Sequence, residues 1–348
     1  MARTALVTGA TGTIGVSLVP ALLDEGWEVR VLTRHPDSLD PAWRDHVQVT
    51  HGDAADAAVL DRALRGADVA YYLLHSMDDE GDFVTRDRAL ATGFADAARK
   101  AGTERIVYLS GLHPEGHLSP HLASRVEVGE ILLGSGVPTA VLQAGVVLGE
   151  GSASFAMLRH LTERLPVMVG PRWLTNRIQP IALADVVHYL VRAADLPPDV
   201  NRTIDIGMDE VLTYADMMRR YAQIAGLRPR RVATVPVLTP WLASHWVGLI
   251  TPVPASIAKP LVGSLIHEAV RRETDAADLL GDPAGGLLGY DVAVRRALAG
   301  ADPQQWGRAS AAVVGALAAC ATVAGLVALA RARPRHILLL RSERKANA

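Results

Sequence analysis

The sequence predicts an α/β protein built on a doubly wound parallel sheet, with a small C-terminal cap on the substrate side and a hydrophobic C-terminal helix. Three observations predict it. Short apolar runs alternate with amphipathic helical stretches through the first 145 residues. The first run, Ala5–Val7, breaks at a glycine-spaced turn, Gly9-x-x-Gly12-x-x-Gly15, that leads directly into a helical pattern. The segment from there to the next strand has the length of one crossover helix, which makes the pairing parallel.

The elements follow in order. Val16–Glu25 carries Leu18, Val19, Leu22 and Leu23 at helical spacing, and Glu28–Leu32 closes the first β-α-β unit. His46–Thr50 is a third strand and Ala54–Leu64 a helix with Asp53 as its N-cap, since aspartate accepts hydrogen bonds from the first free amides. Val69–Leu74 is a fourth strand. Phe83–Ala101 is a long amphipathic helix ended by Gly102. Arg105–Leu109, the helix Leu122–Leu133 and Thr139–Gln143 continue the alternation. Beyond Gly149 the pattern loosens: Ser154–Leu165 is helical, Met168–Trp173 loop or strand, Ala184–Val187 part of a helix and Thr203–Ile206 a late strand. Thr213 caps the helix Tyr214–Ala225, and Val232–Leu238, with Pro236, is an edge strand. The proline-punctuated stretch from Pro240 to Pro260, with Trp241 and Trp246, is either the substrate-side cap or ordinary core packing.

The 348 residues are 49% hydrophobic, enough for a sizeable core, and the net charge of −2 gives no general affinity for nucleic acid. A lone cysteine, Cys320, excludes an intrachain disulfide framework and a cysteine-rich zinc site, and no metal site is expected. The first strand begins at once, without room for a signal peptide, so a cytoplasmic body is expected.

The turn has the chemistry of an anion site. Gly9 permits the sharp turn, Gly12 lets a pyrophosphate approach the backbone, and Gly15 allows helix and strand to pack closely. The free amides and positive dipole end of the helix, at Thr11, Gly12, Thr13 and Ile14, then face a dinucleotide. Arg34, at the end of the second strand, suits the 2′-phosphate of NADP where an acidic residue would suit NAD; it is otherwise a solvated loop arginine. NADP(H) is thus favoured over NAD(H). Asp53 is placed where it would meet adenine. Leu74 and His75 lie at the carboxyl end of the fourth strand and Ser110 follows the fifth, where open α/β sheets bind the ribose–nicotinamide half of such a ligand.

These residues resemble the short-chain dehydrogenase/reductase superfamily in its atypical, NmrA-like branch, and proteins of the YbjT type in particular. The likeness is carried by Gly9-x-x-Gly12-x-x-Gly15, Tyr71–Met77, Ser124–Glu130, Leu165–Met168, Arg177-x-Gln179-Pro180-Ile181 and Pro252–Ile257, and runs from Arg3 to about Arg272. That group is also similar to an NADPH-binding accessory subunit of respiratory complex I. The resemblance implies a Rossmann fold and NAD(P) binding. It also implies a catalytic serine followed by Tyr-x-x-x-Lys. Ser110 stands at the serine position, but no tyrosine occurs between Gly111 and Val137, and the nearest match in spacing is His121-x-x-x-Arg125. His121 would relay a proton, or is a surface histidine beside Pro120 with His113 and His117 close by; Arg125 would hold a ribose or a carboxylate and cannot act as a base.

Two functions follow. One is an NADPH-dependent oxidoreductase on a small hydrophobic carbonyl or quinone-like compound, with Ser110, His121 and Arg125 as catalytic candidates and Arg177 and Gln179 at the pocket mouth. Arg177 is otherwise a salt-bridge partner and Gln179 a strand-end amide. The other is an NADPH-binding regulatory or assembly subunit without turnover, in keeping with the missing Tyr-x-x-x-Lys. The expected organisation is a cofactor core over 1–150, a substrate-side part over 151–275, a linker over 276–308 and a hydrophobic helix with a basic tail over 309–348. Ala309–Ala330 is uncharged and long enough to span a bilayer, and six arginines and lysines follow it, from Arg331 to Lys345. The segment spans a membrane, lies on its inner face or packs on protein.

Overall fold

The computed structural model describes residues 2–75, 83–114, 116, 118–165, 167–235, 251, 253–300 and 303. All of them belong to the first of two compact units, 1–303 and 304–348. His117, Ser76, Met77, Trp241, Trp246 and the Ala309–Ala330 segment lie outside the described residues. Among the described residues no helix is long and apolar enough to cross a membrane.

The strands in chain order are β1 (Thr4–Thr8), β2 (Glu28–Thr33), β3 (Gln48–His51), β4 (Val69–Tyr72), β5 (Arg105–Gly111), β6 (Thr139–Ala144), β7 (Val147–Leu148), β8 (Val167–Pro171), β9 (Arg177–Ile178), β10 (Ile181–Ala182), β11 (Arg202–Ile206), β12 (Leu212–Thr213) and β13 (Arg231–Val235). The helices are α1 (Thr13–Asp24), α2 (Ala57–Leu64), α3 (Phe83–Ala101), α4 (Pro120–Leu133), α5 (Ala153–Arg164), α6 (Leu183–Ala193), α7 (Tyr214–Ile224) and α8 (Ala255–Leu265), with two short ones at Ala276–Leu280 and Tyr290–Ala297. Seven strands form one sheet in the order β11-β6-β5-β4-β1-β2-β3, and every pair in it is parallel.

Alternation along the strands explains why the sheet is covered twice. Ala5 and Val7 of β1 face α1 and α6 with Val31, Tyr71, Val107 and Leu142, against Leu18, Leu22, Val186 and Leu190. Leu6 faces the other way, with Ala70, Tyr72, Ile106 and Tyr108, against Leu60, Phe94, Ala98, Val128 and Leu132 of α2, α3 and α4. Leu18 and Leu22 have no exposed surface, a contribution of about 2 kcal/mol each. The chain runs outward from β1 through β2 to β3 and then returns to the other side of β1 with β4. The order therefore reverses between β1 and β4, and a crevice opens at their carboxyl ends.

Three expectations are corrected. The helix expected over Ala54–Leu64 begins at Ala57, and its cap is Asp56, which accepts from the amides of Ala58 at 2.8 Å and Val59 at 3.4 Å. Asp53 instead closes a turn on the Ala55 amide at 2.9 Å. β4 ends at Tyr72 and does not reach Leu74, because Leu73 leaves the ladder to bond Thr8. The stretch expected as a linker holds the two short helices, whose Ala276, Leu280, Tyr290 and Val294 are buried.

Candidate functional site

The switch point is stitched by Thr8. Its hydroxyl donates to the Tyr71 carbonyl at 2.9 Å and accepts the Leu73 amide at 3.0 Å, which ties the end of β1 to the end of β4. Gly9 turns there with φ +66°, and a β-carbon on it would meet the Leu73 carbonyl at 2.7 Å. The Gly12 amide returns to the Gly9 carbonyl at 3.0 Å. A β-carbon on Gly15 would stand 2.3 Å from that same carbonyl. α1 begins at Thr13 with Gly12 as its N-cap, without a side chain on the cap and without an acidic residue in its first turn. Its first amides and its positive dipole end remain for an anion. On Gly12 a β-carbon would have only the Gly9 carbonyl nearby, at 3.3 Å, so its bare face opens outward.

A cavity of about 460 Å³ runs from this turn across the carboxyl ends of β4, β5 and β6. Gly9, Gly12, Thr13, Ile14 and Gly15 line one end, with Leu73, Leu74 and His75. Ser110 and Gly111 follow from β5, and His121, Leu122 and Arg125 from α4. The far wall is Met157 of α5, Ile178, Tyr214, Ile257, Leu261 and Leu265 of α8, and His267. The loop before α5 closes over the turn, where the Thr13 hydroxyl donates to the Gly151 carbonyl at 2.8 Å.

α4 sets the catalytic candidates. Ser119 caps it, accepting the Leu122 amide at 3.3 Å, and Pro120 fits its first turn, where no intrahelical amide is needed. His121 and Arg125 then lie one turn apart on the face turned to the cavity. Arg125 donates to the Leu109 carbonyl at 2.5 Å, and its guanidinium carbon lies 5.9 Å from the Tyr108 ring centre. The Arg125 carbonyl accepts from the Tyr108 hydroxyl at 3.3 Å and, at 3.5 Å, from Ser110. Ser110, His121 and Arg125 all line the cavity.

Burial dominates the electrostatics. It lowers the pKa of His121 to about 4, and the positive charge of Arg125 adds to the effect. His75 keeps solvent access at the mouth, yet the protein mass around its ring, with Arg125 and His121, lowers it to about 3. The buried imidazole of His121 is neutral at pH 7. Burial raises the pKa of Tyr108 and keeps it a phenol, while the charge of Arg125 and the nearby Ser110 hydroxyl oppose that rise.

Thr11 is exposed beside Gly12 at the rim of the turn. Arg34 and Asp53 stand together on the ends of β2 and β3, with Nη1 and Oδ2 3.9 Å apart and both side chains more than half exposed. Arg177 and Gln179 are corrected. Arg177 grips Glu268 through two bonds of 3.0 and 2.8 Å and is not among the cavity-lining residues. Gln179 is buried, giving its amide to the Met208 carbonyl at 2.7 Å and accepting the Arg271 amide at 3.0 Å. Its place is structural, joining three loops. Ile178, between them, is the residue of this stretch that meets the cavity. Sequence reasoning missed Thr8, whose role needs the β1–β4 pairing, and the apolar wall from α5 and α8, whose residues lie far apart along the chain.

The NmrA-like family profile matches residues 1–219. A relative described as a ceramide reductase, from Caulobacter vibrioides, is 32% identical over 232 residues, 65% of this chain and 72% of its own. Among solved structures, the Citrobacter sp. triphenylmethane reductase complexed with NADP(H) superposes with a TM-score of 0.66 at 18% identity, covering 84% of this chain and 100% of that one. MoeE5 in complex with UDP-glucuronic acid and NAD gives 0.63 at 19% identity, covering 88% and 99%. Both likenesses are of fold.

Proposed function

The chain belongs to the NmrA-like family, and from that premise we propose that it is a nicotinamide-dependent reductase of an uncharged, hydrophobic carbonyl compound. The observation that carries the reading is the wall of the cavity. No carboxylate lines it among the described residues, and its one guanidinium, Arg125, is already bonded to Leu109. Met157, Ile178, Ile257, Leu261 and Leu265 offer apolar surface instead. A nucleotide sugar would bring a diphosphate that this wall has no further arginine or lysine to meet. An apolar ketone or quinone, including the acyl-chain carbonyl compounds that the ceramide reductase relative suggests, fits it.

The cradle suits a nicotinamide dinucleotide, since its glycines leave bare backbone where a β-carbon would intrude. Gly9, Thr11, Gly12, Thr13, Ile14 and Gly15 would hold the pyrophosphate. Arg34 would meet the 2′-phosphate of NADP, with Asp53 toward adenine and Leu74, His75 and Ser110 toward the ribose–nicotinamide half. Such a cofactor supplies a hydride when bound. The residues of the chain do the rest. The Ser110 hydroxyl donates a hydrogen bond to the substrate oxygen and stabilises the charge that grows on it. Neutral His121 offers a further hydrogen bond but is no imidazolium at pH 7. Arg125 holds the end of β5 to α4 and supplies positive potential. Leu112, Leu122 and the α8 side chains exclude water from the reacting carbonyl.

The test is oxidation of NADPH and NADH, followed at 340 nm, over a panel of aliphatic ketones, aldehydes, quinones and nucleotide sugars. Turnover confined to apolar acceptors is expected; turnover of nucleotide sugars alone overturns the substrate reading. The missing Tyr-x-x-x-Lys favours a second reading, a cofactor-binding subunit without catalysis. Tight NADPH binding with no acceptor reduced would establish that one.

A further inference from the structure

The superfamily pattern expects a tyrosine on the helix after β5, four residues before a lysine, and α4 holds neither. A tyrosine is nevertheless present at the serine, on the strand itself. Tyr108 and Ser110 are two residues apart on β5 and so project from the same face of the sheet. Both hydroxyls reach one acceptor, the carbonyl of Arg125, at 3.3 and 3.5 Å. The guanidinium of the same Arg125 lies 5.9 Å from the phenol ring. Ser110 lines the cavity, whereas Tyr108, 2% exposed, is buried and does not line it. A serine hydroxyl and a buried phenol thus share one carbonyl oxygen, with an arginine charge near the phenol ring.

We propose that Tyr108 is a positioning residue that acts through Ser110, holding the serine hydroxyl toward the substrate and resupplying the proton that the serine gives up. The proposal rests on the reductase reading above. The carbonyl carbon gains a hydride from the reduced nicotinamide, the C=O π pair moves to oxygen, and that oxygen takes the proton of Ser110. The phenolic hydrogen of Tyr108 turns from the Arg125 carbonyl to the serine oxygen, which takes the proton and leaves a phenolate near Arg125. An alkoxide is a far stronger base than a phenolate, so the transfer runs downhill. Once product leaves, water in the opened cavity returns the proton through Ser110. Burial keeps Tyr108 protonated before the step, and the charge of Arg125 favours its ionised form during it. Arg125 would then fill the place that a lysine fills in the superfamily pattern, acting on a tyrosine delivered from the strand.

The experiment compares wild type, Tyr108→Phe, Ser110→Ala and Tyr72→Phe in the full chain. Tyr72 is a control of equal bulk, since its ring meets Tyr108 edge-on at 5.8 Å. The first readout needs no turnover. In protein labelled with 13Cζ-tyrosine, the resonance lost in Tyr108→Phe identifies Tyr108, and that resonance should shift in Ser110→Ala. An unmoved resonance overturns the proposal. The second readout uses NADPH with the best ketone of the panel. Tyr108→Phe should lower kcat about 100-fold with KM within about twofold, while Tyr72→Phe stays near wild type. Full kcat in Tyr108→Phe overturns the relay and leaves the reductase reading intact. Absence of turnover in wild type overturns both.

Discussion

The carbonyl oxygen of Gly9 lies 2.3 Å from the point where a β-carbon on Gly15 would stand, and the α-carbon of Ala10 lies 2.6 Å from it. Both neighbours are backbone, so neither can move aside. Gly15→Ala should therefore destabilise the protein by about 3 kcal/mol, read from urea unfolding. Gly12→Ala meets only the Gly9 carbonyl, at 3.3 Å, and Gly12 has φ −82°, which alanine adopts freely. Its cost should be about 1 kcal/mol or less. The two glycines thus separate: one serves the fold, the other leaves room for an anion.

Arg34 sits beside Asp53 with both side chains largely in solvent, so their attraction is weak and the arginine is available to a phosphate. Arg34→Asp places two carboxylates together and removes the cation. Calorimetric titration should show NADPH affinity falling at least about tenfold, with NADH affinity changed little. Retained preference for NADPH would mean that a different cation reads the 2′-phosphate.

The depressed pKa of His121 makes stability depend on pH. In the unfolded chain its imidazole takes a proton near the ordinary value of 6.5, in the folded chain only near 4. Its contribution is present above 6.5, is lost as pH falls to about 4, and is flat below, where both states are protonated. The loss is on the order of 3 kcal/mol. His160 is shifted in the same direction and adds to the slope. His121→Gln should flatten the decline in urea midpoint between pH 6.5 and 4.5 without abolishing it.

The placement of Gln179 has its own test. Gln179→Leu leaves the Met208 carbonyl and the Arg271 amide without their partner, a cost of about 2 kcal/mol or more. KM for a ketone substrate should hold. Arg177→Ala, at an exposed pair with Glu268, should leave both the unfolding midpoint and KM near wild type. A large rise in KM for either variant would return these residues to the pocket.

The features legible in the sequence are those whose cause is local. The glycine turn, the helix Phe83–Ala101 and the capping of α7 by Thr213, whose hydroxyl accepts the Asp216 amide at 3.0 Å, each depend on a few adjacent residues. Local rules fail where two neighbours qualify equally: Asp53 and Asp56 are both good caps, and only the packed helix selects Asp56. They fail also for polar groups satisfied from a distance. Nothing near Gln179 in sequence reveals that Met208 and Arg271 take up its amide. The pairing of Tyr108 with Ser110 is half visible, since the period of a strand puts them on one face. The Arg125 carbonyl that joins them comes from the next helix.

The claim beneath all of this is that bare amides at the start of α1 receive a dinucleotide pyrophosphate. Isothermal titration of NADPH into wild type and Gly12→Asp tests it most directly, with thermal melts of both proteins alongside. Saturable binding is expected in wild type only, the variant melting as wild type does while its added carboxylate fills and repels the anion's place. No heat and no thermal shift with NADPH or NADH in wild type, or undiminished binding in Gly12→Asp, would contradict it.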